Sequence, residues 1–123
     1  MLDLSNEAAI DQAWEHLESK AVLPTSAEEF YKKSGAKADR QIREFERHYL
    51  RCRSIFRYEC QNHGAYMKDC SRAGMGFLSP IQLFPRDPIQ LWISNQRNYS
   101  LEIIRCQRLM SNCYECGAIF ILK

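Results

Sequence analysis

The sequence predicts an all-β barrel or sandwich preceded by a short helical extension. Three observations carry that expectation. From residue 50 onward, six or so runs of strand length alternate or concentrate apolar side chains. Turn-forming residues separate them at roughly eight- to twelve-residue spacing, the rhythm of antiparallel β architecture. Helical periodicity is confined to the first third of the chain.

Length and composition set the bounds. At 123 residues there is room for one domain with a modest core and an added element. An apolar fraction of 46% and a charged fraction of 26% match an ordinary soluble protein and exclude a disordered chain. The opening Met1-Leu-Asp-Leu-Ser-Asn-Glu7 has neither the basic nor the apolar region of a secretory signal. No apolar run approaches the ~18–20 residues of a membrane span. A cytoplasmic location is therefore expected, with the six cysteines as free thiols rather than three disulfides.

Residues 6–20 read as an amphipathic helix with Ile10, Ala13, Trp14, Leu17 and Ala21 on one face. Ser5 or Asn6 suits its N-cap, and Glu7 and Asp11 lie near the positive end of its dipole. The Trp14 face either covers part of the β domain, the simpler reading, or serves as a partner-docking or dimer surface. Leu23-Pro24-Thr25 breaks the helix. Ser26-Ala-Glu-Glu29 then offers a capping box to a second short helix carrying Phe30 and Tyr31, closed by Gly35.

Residues 1–35 thus form a helical extension, and residues 36–123 the β domain. The latter opens with a basic hinge, residues 36–47. Charge is divided along the chain: residues 1–34 sum to −4 and residues 35–57 to +4, within a net charge of +2. The hinge is where an anion would be drawn. Arg40, Arg43, Arg47 and Arg51 also fit one face of a basic helix on nucleic acid. Against that, Leu50, Cys52, Ser54, Phe56 and Tyr58 alternate with Arg51, Arg53, Ile55, Arg57 and Glu59 as a half-buried strand does. Nucleic acid is the minor reading.

Asn62-His63-Gly64 is predicted to turn the chain, with Ala65 to Cys70 returning as the second strand. Ser71 to Gly74 is a tight connection into a third strand, Met75-Gly-Phe77-Leu78. Pro80, Pro85 and Pro88 bracket a loop with room for one helical turn. Ile89 to Ile93, Leu101 to Leu109 and Tyr114 to Leu122 complete the strands, with turns at Asn95–Asn98 and Ser111-Asn112.

Two patterns carry chemistry. Arg43-Glu-Phe-Glu-Arg47 places two arginines four apart, and Asp69-Cys-Ser71-Arg-Ala-Gly74 follows about twenty residues later. Together, with strands around them, they resemble the signature of PilZ domains, bacterial receptors for the second messenger cyclic di-GMP. The resemblance covers residues 40 to 122. It implies a six-stranded antiparallel PilZ-type β-barrel that binds cyclic di-GMP through Arg43, Arg47, Asp69, Ser71 and Gly74, assisted by Arg40. Arginine forks suit phosphate oxygens and the guanine O6/N7 edge. Asp69 can accept from guanine N–H donors, Ser71 adds a small donor or acceptor, and Gly74 lets backbone approach closely. Many family members carry an arginine where this chain has Ile42, and an apolar residue there leans towards one ligand molecule rather than a stacked pair. Tyr49 replaces a frequent proline.

Other constellations are weaker. Cys113-Tyr-Glu-Cys116 has no second such pair to complete a zinc site. A composite of Cys60, His63 and Cys70 is less economical than thiols packed as small apolar groups. No nucleophile elbow or catalytic triad is visible, so neither enzyme activity nor a resident cofactor is expected. The leading expectation is a cyclic di-GMP receptor that passes occupancy to a downstream protein partner, in control of motility, biofilm or exopolysaccharide. The ligand would order the hinge and reposition the N-terminal helices. The rivals are an interaction module of the same fold without ligand, and a small basic nucleic-acid binder.

Overall fold

A computed structural model describes residues 7–32, 48–93 and 97–121. Gly35 and the whole hinge, with Arg40, Ile42, Arg43 and Arg47, lie outside the described residues. Two helices, α1 (Glu7–His16) and α2 (Ala27–Tyr31), precede six strands. These are β1 (His48–Tyr58), β2 (Gln61–Cys70), β3 (Gly74–Ser79), β4 (Pro88–Ile93), β5 (Arg97–Met110) and β6 (Cys113–Phe120). They pair antiparallel in the order β1-β2-β3-β6-β5-β4, and β4 returns to β1 to close a barrel.

The period-two pattern of β1 decides what fills the barrel. Phe56 is buried inside with Ala65, Met67, Met75, Phe77, Leu91, Leu101, Ile103 and Cys116, while Leu50, Cys52 and Tyr58 pack against that core. The other face of β1 to β3 is covered too. Ile55, Tyr66, Leu78 and Cys113 form a second core with Ile10, Trp14, Ala21 and Phe30 from the N-terminal segment. The helices therefore cover the barrel, and Trp14 is only 5% exposed. Its Nε1–H donates to Ala65 O at 3.0 Å, and the Arg53 guanidinium lies 4.4 Å from its ring centre while pairing with Glu15 at 2.7 Å.

Cys113 and Cys116 belong to different cores, because residues three apart on a strand face opposite ways. The C-x-x-C pair is thus split across the wall of the barrel. Cys60 lies in the turn before β2 and Cys70 at that strand's far end, so the composite with His63 is not assembled.

Several boundaries differ from the sequence reading; β5 already begins at Arg97, inside the turn expected at Asn95–Asn98, because Arg97 and Asn98 pair with Ile93 and Trp92. The first hairpin turns at Glu59-Cys60, not at Asn62-His63-Gly64; both turn residues have positive φ, 50° and 65°, as a two-residue hairpin loop of the primed type requires. Gly64 instead sits in β2 where a Cβ would stand 2.9 Å from Trp14 Nε1. α1 stops at His16 rather than near residue 20, because the next residues bond to the barrel. Gly64 N–H donates to Ser19 O at 2.8 Å, Ala21 N–H to Gly64 O at 2.9 Å, and Val22 N–H to Asn112 O at 3.0 Å. The segment between β3 and β4 holds no helical turn. Arg86 N–H donates to Ile103 O at 2.7 Å and Ile103 N–H to Asp87 O at 2.9 Å, which extends the β4–β5 ladder. The second helix starts as expected, with Ser26 Oγ accepting from Glu29 N–H at 3.1 Å.

His63 locks the extension to the barrel. Its Nδ1 lies 2.7 Å from Ser19 Oγ, and its ring stacks on Phe56 at 5.1 Å. Burial holds its pKa below the ordinary imidazole value. The unfolded chain therefore binds more protons here, so stability falls as the pH drops below about 6.5. Thermal melts at pH 7.5 and pH 5 should show the lower Tm in acid. In His63→Gln that difference should shrink, and an unchanged difference would remove His63 from the explanation.

Candidate functional site

The site is built at the corner where β1 begins and β2 ends. Ser71 N–H donates to Gly74 O at 2.9 Å, and Ser71 Oγ accepts from Ala73 N–H at 3.2 Å, closing the connection of residues 71–74. Phe120 N–H donates to Ala73 O at 3.0 Å, which ties this turn to β6. Gly74 is fixed by packing: a Cβ would overlap the Ala118 carbonyl oxygen and stand 2.9 Å from its carbon. Any side chain at this position would push β3 off β6.

Asp69 is aimed by a β-bulge. Ala65 and Met67 point into the barrel, and simple alternation would send Asp69 inward as well. The β2–β3 register shifts between Met67 and Asp69, and the β1–β2 register shifts between Tyr49 and Cys52. The extra residue reverses the facing of the residues beyond it. The Asp69 carboxylate consequently lies over Gly76, where a Cβ would be 2.6 Å from Oδ1. Gly76 stands between the inward Met75 and Phe77, so this is the outer surface. Lys68, the neighbouring residue, is held in an ion pair with Glu115.

The same device recurs on β5. Ile103 points inward, the β5–β6 register shifts between Ile103 and Arg105, and the Arg105 guanidinium lies over Gly117. A Cβ on Gly117 would be 2.6 Å from Arg105 Nη1. The pairing register aligns these residues in one row: Tyr49 opposite Asp69, Asp69 opposite Gly76, Gly76 opposite Gly117, and Gly117 opposite Arg105. Two bulges thus turn a carboxylate and a guanidinium outward, one on each side of a floor of two glycines. An acceptor and a planar donor facing across bare backbone suit a flat, polar-edged group.

No family model and no curated protein matches the sequence. The fold, by contrast, has a solved counterpart. It is similar to the Bacillus subtilis inhibitor of motility, MotI/DgrA, with a TM-score of 0.54 at 12% identity. The likeness covers 68% of this chain and 44% of that one, so the chain spans less than half the length of the inhibitor. At that identity the similarity is one of fold.

The structure brings Asp69, Ser71 and Gly74 to one corner. Arg40, Ile42, Arg43 and Arg47 fall outside the described residues; in the sequence Arg47 immediately precedes His48, which pairs with Cys70. Gly76, Gly117 and Arg105 were not legible as site residues. A glycine interrupting an apolar strand, as in Met75-Gly-Phe77 and Cys116-Gly-Ala118, is the signal that marks a close approach. No described helix is long and apolar enough to cross a membrane.

Proposed function

We propose that the chain is a non-catalytic receptor for cyclic di-GMP with a PilZ-like fold, passing ligand occupancy to a protein partner. The observation that carries this reading is the outward Asp69 on its glycine floor, beside the turn of Ser71 and Gly74 and next to the start of β1. The R-x-x-x-R segment joins the barrel within two residues of the Asp69 row. In this reading Arg43 and Arg47 grip phosphate and guanine edges, with Arg40 assisting. Asp69 accepts from guanine N–H groups, and Ser71 uses its remaining hydroxyl capacity. Arg105 forms the opposite wall of the floor. The fold likeness to an inhibitor of motility makes motility control the first process in which to look for the partner.

Calorimetric titration with cyclic di-GMP, against GTP and short duplex DNA, tests the reading. Saturable binding of cyclic di-GMP alone is the expected result; binding of DNA alone, or of nothing, would replace it with one of the rival functions. Arg43→Ala and Arg47→Ala each remove charge-assisted bonds of roughly 1.5–3 kcal/mol, or about ten- to a hundredfold in affinity. The double variant should bind too weakly to measure while melting like the parent. Undiminished affinity would move the site elsewhere.

A further inference from the structure

Cys106 and Cys116 lie directly opposite each other on β5 and β6, with their sulfurs 3.4 Å apart. Directly paired residues of antiparallel strands have Cα atoms about 4.5–5.5 Å apart. That lies within the range of about 4.4–6.8 Å that a disulfide spans. We propose that this pair is an oxidation site, converted by peroxide into a reversible cross-strand disulfide.

The two sulfurs have different surroundings. Cys106 is partly exposed and accepts from Leu83 N–H at 3.4 Å, while the Cys116 S–H is directed at Cys106 from a fully buried position. Cys106 is therefore the sulfur a small oxidant reaches, and Cys116 the one that resolves the product. Cys106 Sγ attacks one peroxide oxygen, the O–O bond breaks, and the departing hydroxide takes the thiol proton as water. Cys116 Sγ then attacks the resulting sulfenic acid, the S–O bond breaks, and the Cys116 proton leaves with the hydroxyl as a second water. Two electrons pass from the sulfurs to peroxide, and two thiols become one disulfide.

Of the other thiols, Cys113 is buried in the outer core, Cys52 and Cys70 pack against the inner one, and Cys60 lies in the turn before β2. The Cys106–Cys116 rung adjoins the Arg105–Gly117 rung, so the cross-link pins the sheet immediately beneath the glycine floor. The proposal rests on the thiol geometry and not on the ligand reading.

The test is mass spectrometry of the full chain after hydrogen peroxide, alkylation in denaturant, and digestion without reduction. Four alkylated cysteines instead of six should be found, with residues 106 and 116 in one cross-linked peptide that dithiothreitol releases. Cys106→Ser should abolish that peptide. Cys116→Ala, which avoids placing a hydroxyl in the core, should do the same. If both cysteines remain alkylated under conditions that oxidise the exposed Cys60, or if the cross-link joins other residues, the proposal is wrong.

Discussion

Trp14→Ala is expected to lower stability by about 3–5 kcal/mol, the range for deleting a large buried aromatic. Trp14 is the keystone of the outer core. Its ring lies 5.1 Å from the Tyr66 ring, and Phe30 continues the cluster at 5.6 Å from Tyr66. Its Nε1–H bonds the β2 backbone, and Gly64 is bare where the indole meets the sheet. In a domain of this size the Tm should fall by roughly 10 °C or more. Trp14→Phe keeps much of the contact area and loses the hydrogen bond, so it should cost closer to about 1 kcal/mol. Urea melts of the three proteins decide the matter. An unaltered Trp14→Ala midpoint would mean that the helical extension contributes nothing to the fold.

The two site glycines should separate folding from binding. Gly74→Ala forces a methyl group into the β6 backbone at Ala118, which cannot swing aside. A cost of at least about 1–3 kcal/mol is expected, with β3 displaced from β6. At Gly76 the obstacle is the end of the Asp69 side chain, which can rotate. Gly76→Ala should therefore cost less stability than Gly74→Ala. Under the proposed function it should still lose about ten- to a hundredfold in cyclic di-GMP affinity, because the carboxylate is pushed from its place. Normal affinity in Gly76→Ala would remove Asp69 from the list of ligand contacts. Normal stability in Gly74→Ala would contradict the close approach of β3 to β6.

The outer core also bears on how a signal could leave the molecule. Repositioning the helices would expose Ile10, Trp14 and Phe30 along with the strand residues beneath them. Each large side chain returned to water costs about 1.5–3 kcal/mol. A ligand shifts an equilibrium only by its differential affinity for the two states. Wholesale release of the Trp14 face is thus an expensive switch, and a ligand that drove it would have to supply that cost as differential affinity. A readout on surface already exposed needs no such rearrangement.

Much of the barrel was legible in the sequence because β1 to β6 announce themselves by alternation and turn residues. Ser26 likewise marked α2 through a local bond. The features that were not legible depend on distant partners. The turn at Glu59-Cys60 has no glycine or asparagine to advertise it, whereas Asn62-His63-Gly64 looks like a turn and is a strand shaped to receive Trp14. Asp69, Ser71 and Gly74 stood out through their spacing. Arg105 did not, because its outward aim comes from a bulge that only the pairing with β6 reveals.

Closure of the barrel by β1 against β4 has a consequence for how the chain is made. Phe56 meets Leu91, so one edge of β1 stays open during synthesis until the fourth strand has emerged. Trp14 meanwhile waits for Ala65, 51 residues away. Such distant pairings place the molecule among slow-folding β topologies, in the range of about milliseconds to seconds. Through that interval the nascent chain carries an apolar strand with unpaired N–H and C=O groups, a template for association with a neighbouring copy. In the finished barrel β4 covers β1 at Ile55, Phe56 and Arg57, so a partner arriving there meets side chains and turns rather than an unpaired strand.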